Sequence, residues 1–214
     1  MPEPVAETPA LRLSDEEALA LAVQADRSWP SPLPTVDLAS SEEVLAAIMR
    51  GWRSLSIRDL VIDGAPSPAL AVATRAVNGV VFARTFLSNS GVVPSSLGSF
   101  TTFIAASDRN AIIVNVATPA GVHVLGEVTV NVARGLLRDA VTEAFERDGE
   151  VHHAPSLRFC VVGAGTTVAA LSVTRDEVTE WASGPDGMLQ PGDVGHAFEA
   201  PLKRLLDVVL PRGA

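Results

Sequence analysis

Lysine is almost absent. Lys203 is the single lysine among sixteen basic residues, which face twenty-five acidic ones, and the formal charge is −9. No basic stripe can form to neutralise phosphates, so neither nucleic acid nor an anionic membrane is expected as a partner. Cysteine is limited to Cys160, inside the apolar run Leu157-Arg158-Phe159-Cys160-Val161-Val162. A lone cysteine cannot close an intramolecular disulfide, which fits a reducing cytoplasm. Met1-Pro2-Glu3-Pro4-Val5-Ala6-Glu7 lacks the basic start and apolar stretch of a signal peptide. No apolar run reaches the roughly 18 residues needed to span a bilayer. The expectation is a soluble cytoplasmic protein.

Apolar residues make up 47% of the chain and charged ones 19%, a composition able to bury a sizeable core. A flexible tail is expected over residues 1–12, rich in Pro and Glu, followed by one α+β domain from 13 to 214. Ser14-Asp15-Glu16-Glu17 has the pattern of a capping box and predicts a helix over 15–26. Trp29-Pro30-Ser31-Pro32-Leu33-Pro34 cannot continue it, because prolines remove donors and hold their predecessors extended. Ser40-Ser41-Glu42-Glu43 opens a second helix that Gly51 is expected to end. The alternation from Arg53 to Leu60 then reads as a strand with one solvated face.

Pro66-Ser67-Pro68 restarts a helix that Asn78-Gly79 ends, and β-rich residues return over Val80 to Leu87. Strand-like runs follow at Phe100–Ala106, Ala111–Thr118, Val122–Val130 and, broken by a glycine turn, Phe159–Val173. Their short connections predict antiparallel pairing. Asn131 is the expected cap of an amphipathic helix over 132–147, which should cover one sheet face. Thr174-Arg175-Asp176-Glu177 reads as a third capping box before a short helix to Ala182, with a loop over 184–195 and a final helix over 196–210. The fold expected is therefore a mainly antiparallel central sheet with flanking helices and a C-terminal helical section.

Candidate chemistry is sparse. Gly163-Ala164-Gly165 resembles the start of a dinucleotide fingerprint, but Val168 replaces the third glycine and no helix of adequate length follows, so a hairpin turn is expected. His152 and His153 are adjacent and would point opposite ways on an extended chain. His123 and His196 have no Cys, Asp or Glu at ligand spacing, so no metal is expected. Nucleophilic catalysis lacks a Gly-x-Ser-x-Gly elbow, and Cys160 in a strand reads as an inert thiol. The acidic pairs Asp15-Glu16 and Glu42-Glu43 complement helix dipoles. No catalytic, cofactor or metal residue is therefore assigned.

Two features point instead to partner binding. Val92, Val93 and Leu97 fall in a Ser/Gly/Pro loop with no helix or strand face to bury them. Phe198, Leu202 and Leu205 give the last helix an apolar stripe that could be divided between core and partner. Trp29, Trp52 and Trp181 are weighed as interface anchors and read as core or edge packing.

The order of these features resembles the EspG family of cytosolic chaperones of type VII (ESX) secretion in mycobacteria and related actinobacteria. The residues that carry the resemblance are the capped helix Leu13-Ser14-Asp15-Glu16-Glu17-Ala18-Leu19, Pro32-Leu33-Pro34, and Arg50-Gly51-Trp52-Arg53-Ser54-Leu55-Ser56-Ile57-Arg58. It continues through the turn Thr118-Pro119-Ala120-Gly121 to the ending Leu205-Leu206-Asp207-Val208-Val209-Leu210. The resemblance implies a non-enzymatic, cofactor-free chaperone that binds the helical tip of a PE–PPE-type substrate pair. It also directs attention to the loop over 88–98 and the last helix. A small enzyme with a site assembled from scattered residues stands as the alternative, as does a homo-oligomeric structural module, and a homodimer remains open.

Overall fold

The structure, a computed structural model, describes residues 10–88, 99–106, 111–146, 156–163, 166–174 and 177–209. The chain begins with β1 (Leu11–Ser14), α1 (Asp15–Gln24) and α2 (Ser41–Ile57), then a two-stranded hairpin of β2 (Val61–Ile62) and β3 (Ala65–Pro66). Next come α3 (Ala71–Asn78), β4 (Val80–Ser88), β5 (Ser99–Ala105), β6 (Ile112–Ala117), β7 (Val122–Val128) and α4 (Val130–Glu146). The last third holds β8 (Ser156–Gly163), β9 (Thr166–Thr174), β10 (Glu177–Ser183), β11 (Leu189–Gly195) and α5 (Glu199–Val209). Nine strands form one sheet in the order β1-β7-β6-β5-β4-β8-β9-β10-β11, antiparallel at every pairing. This is the expected α+β class. Among the described residues, no helix is long and apolar enough to cross a membrane.

Alternation along the strands supplies two cores. Ile104, Ile113 and Leu125 point to one face and are buried with α1, α2 and α3. Their neighbours Phe103, Ile112 and Val114 point to the other, and join Val161, Leu171, Val173 and Val178 beneath α4 and α5. Removing each such Leu or Ile side chain from water contributes roughly 1.5–3 kcal/mol.

Several local expectations give way to tertiary packing. β1 is paired from Leu11, with Leu13 opposite His123, so order reaches further toward the N-terminus than the composition of the first twelve residues implied. The capping box is present: the Glu17 amide donates to Ser14 Oγ at 3.2 Å, and the Ser14 amide to Glu17 Oε2 at 2.9 Å.

Gly51 does not end α2. It faces α1, where an added Cβ would lie 2.1 Å from the Glu16 carbonyl oxygen, so glycine serves there as the contact point of two crossing helices. The residues read as a strand over 53–60 instead supply the last turn of α2 and the turn after it. Leu55 is buried in line with Gly51 and Ala47, whereas Ile57 is 73% exposed, so period two fails.

α4 is capped from Thr129, whose Oγ1 accepts from the Val132 amide at 3.4 Å, and Asn131 lies inside the helix. The expected helix after Thr174 is β10, because Val178, Thr179 and Trp181 pair along β9 in a register set by their own alternation. The expected loop over 184–195 contains a tight turn, with the Gly184 amide donating to the Met188 carbonyl at 2.8 Å, and the edge strand β11. Pro191 and Gly192 are tolerated in that strand because an edge leaves one side without ladder bonds to make.

Candidate functional site

The most ordered polar constellation lies between β1's partner strand and the start of α1. His123 on β7 and Asp15 at the first position of α1 are 108 residues apart, and both are buried. The backbone brings them together, since β1 pairs with β7 and the Asp15 amide donates to the Gly121 carbonyl at 2.9 Å. His123 Nε2 is 2.8 Å from Asp15 Oδ1. Trp29 Nε1, which can only donate, lies 3.4 Å from His123 Nδ1, so Nδ1 accepts and the ring proton resides on Nε2. Asn115 Nδ2 sits 3.2 Å from the same Nδ1, which leaves Asn115 Oδ1 buried with no partner among the described residues. The Trp29 and His123 rings meet edge to face, with centroids 5.4 Å apart.

The second Asp15 oxygen accepts from the Thr35 amide and the Thr35 hydroxyl, both at 2.7 Å. Burial pushes the Asp15 carboxyl up, but the hydrogen bonds from His123 and from both Thr35 donors outweigh it and hold the carboxyl below its ordinary value. The pair has the composition of the base half of a catalytic triad. Its geometry is that of a structural bolt, because the nitrogen that would face a nucleophile is occupied by Trp29 and Asn115 and the ring has no solvent exposure. The bolt pins the connector after α1 to the sheet, helped by the Ser31 and Thr102 hydroxyls at 2.8 Å.

The sequence-derived site residues separate. Val92, Val93 and Leu97 lie outside the described residues. Phe198, Leu202 and Leu205 are buried beneath α5, with Phe198 against Phe145 of α4 at a ring distance of 5.0 Å. Their stripe packs into the core against β9 and α4, and Phe198 and Leu202 also line the groove between α4 and α5. Trp29 and Trp52 pack into or against the α1–α3 core. His152 and His153 also lie outside the described residues. Among those described, no three His, Cys, Asp or Glu side chains converge as a metal site.

Trp181 is different. On β9, Ala169, Leu171 and Val173 face α4 and α5, so Ala170 and Ser172 face the opposite side, and Val168 is the extra residue of a bulge between Thr167 and Ala169. Register carries that side onto β10 through Thr179 and Trp181, which lie opposite Ser172 and Ala170, and onto β11 through Val194 opposite Thr179. Among the described residues, no side chain of β9–β11 joins the α1–α3 core that covers this side of β5–β7. Val168 is 38% exposed, Val194 56%, and Trp181 is half-buried between Ala170 and Pro191. Among the described residues, this is a sheet surface of Ala170, Ser172, Thr179, Trp181 and Val194 that the α1–α3 layer does not reach, with Ala170 buried and Val194 exposed.

A second concavity of about 590 Å³ runs between α4 and α5 and is lined by Arg134, Arg138, Lys203, Phe198, Glu199 and Asp207 among others. Arg134 closes part of it, donating to Asp207 Oδ1 at 3.2 Å and to the Leu206 carbonyl at 3.2 Å. Cations and carboxylates are interspersed there, so the groove has no strong preference for either sign.

No protein-family model matches the chain, and no curated protein matches it in sequence.

Proposed function

We propose that this chain is a non-enzymatic protein-binding module, a cytoplasmic chaperone or adaptor that holds a helical partner against the face of β9–β11 that carries Trp181. The observation that carries the reading is that, among the described residues, the α1–α3 layer does not reach the side of β9–β11 that holds Ala170, Trp181 and the 56% exposed Val194, with Val168 exposed at its end, on a sheet whose opposite side is packed under α4 and α5. Exposed apolar surface on a sheet is costly unless a partner covers it. Three strands at about 4.8 Å spacing span about 10 Å between the outer axes, close to the roughly 8–10 Å at which two helices pack. That width, together with the resemblance to EspG-like chaperones, favours a PE–PPE-type helical pair of a type VII secretion system as the partner.

The test is calorimetric titration of the chain with the helical secreted pair encoded nearest its gene. Val168→Asp together with Val194→Asp places two charges on the surface without touching either core. Binding should weaken by roughly tenfold or more, because a charge driven into a desolvated apolar contact costs more than about 1.4 kcal/mol, while the melting temperature stays within about 2 °C. Undiminished affinity in the folded double variant would remove this face from the binding site.

A further inference from the structure

We infer that the outward face of α2 is a self-association surface, on which two copies of the chain pack their α2 helices antiparallel about a two-fold axis. The inference rests on α2 alone and stands apart from the partner proposed above.

The inward line of α2, Ala47, Gly51 and Leu55, is committed to α1. Directly opposite that line runs a second apolar stripe. Leu45 is 61% exposed and Met49 66% exposed, four residues apart on one seam, and half-buried Trp52, which packs partly against the α1–α3 core, borders it. Ala46 and Ser56 are small neighbours on the same side, so a second helix could approach closely.

The charges along the seam identify the occupant. Glu42 and Arg53 are both exposed on it, and neither makes an ion pair among the described residues. Arg50, around the side of the helix, is by contrast tied at 2.7 Å to both Glu16 and Glu43. Glu42 and Arg53 sit about 16 Å apart along the axis, one at each end of the apolar stretch. A seam with an acid at one end and a base at the other is complementary to itself run backwards. A two-fold axis between Ala46 and Met49 brings Glu42 of each copy level with Arg53 of the other, and seats each Met49 over the partner's Ala46. A contact of this kind is isologous and closes as a dimer. It is also small, one helix face per copy, so the association is weak and concentration-dependent.

Sedimentation velocity of the whole chain from about 5 to about 500 µM reads the result, since association with a dissociation constant in the tens to hundreds of micromolar falls inside that window. The wild-type chain is expected to pass from monomer to dimer across it. Met49→Glu, or Arg53→Glu alone, should leave the chain monomeric at every concentration, with melting unchanged because the positions are exposed. The reversal Glu42→Arg combined with Arg53→Glu should restore the dimer. A wild-type chain that stays monomeric overturns the inference, as does a dimer that survives Met49→Glu or a double reversal that fails to rescue the single one.

Discussion

Replacing Asp15 by Asn tests whether the buried bolt holds the N-terminal layer to the sheet. The carboxylate accepts three hydrogen bonds, from His123 Nε2, the Thr35 amide and the Thr35 hydroxyl, at 2.7–2.8 Å. An asparagine of the same shape offers one accepting oxygen and one donating nitrogen. Turned one way, its NH₂ faces the buried His123 ring proton; turned the other, it faces the Thr35 amide, which it cannot satisfy, and the Thr35 hydroxyl. His123 cannot escape by moving its proton to Nδ1, because Trp29 donates there. Losing charge-assisted bonds worth about 1.5–3 kcal/mol each and leaving a donor unpaired should cost about 3–5 kcal/mol in all. For a chain of 214 residues that corresponds to a fall in melting temperature of roughly 6–20 °C. Urea unfolding followed by tryptophan fluorescence is the assay, and Trp29 against His123 reports on the site directly. Acidity supplies a second arm. The folded carboxyl is held below its ordinary value, so its stabilisation is complete above the unfolded carboxylate pKa near 4 and disappears as the pH falls through the lower folded value. The gap between wild type and variant should therefore be full at pH 7 and narrow below about pH 4. A cost under about 1 kcal/mol, or a gap that does not change down to about pH 2.5, would refute the bolt.

Other substitutions separate the packing claims. Gly51→Ala should destabilise by about 2 kcal/mol or more in denaturant titration, because the added Cβ meets backbone atoms of α1 that cannot rotate away. Leu55→Ala should cost about 2–5 kcal/mol and Ile57→Ala under about 0.5, a contrast that a strand with both residues on its inner face would not produce. Arg204→Ala removes an exposed ion pair to Glu180 and should change stability by less than about 0.5 kcal/mol, read as an unshifted urea midpoint.

The central meander was legible because each of its signals is local. Alternation in Phe100–Ala106 and Val122–Val130 and the short turns between strands fix pairing partners without reference to the rest of the chain. The passage from α2 to β3 was misread for a physical reason. Glycine ends many helices, yet at Gly51 the missing side chain answers to another helix and not to its own backbone. Asp63-Gly64, both with positive φ between Ile62 and Ala65, marks a tight hairpin just past the segment 53–60 that reads as a strand.

The candidate surface was hidden by the same kind of competition. Thr174 to Glu177 satisfies the pattern of a capping box, and its three-residue spacing says nothing about whether a neighbouring strand offers a better set of partners. β9 does offer them, and Val178, Thr179 and Trp181 gain from pairing what a seven-residue isolated helix could not supply. Once β10 is a strand, β11 can add to it, and Trp181 moves from a helix face to the middle of a sheet face beside Ala170 and Pro191. No local reading of the chain could place those three residues together, because their adjacency exists only through two successive antiparallel registers. The bolt at His123 follows the same logic over a longer span: Asp15 was explained fully by its helix dipole, and only the pairing of β1 with β7 shows that its carboxylate serves a histidine 108 positions away.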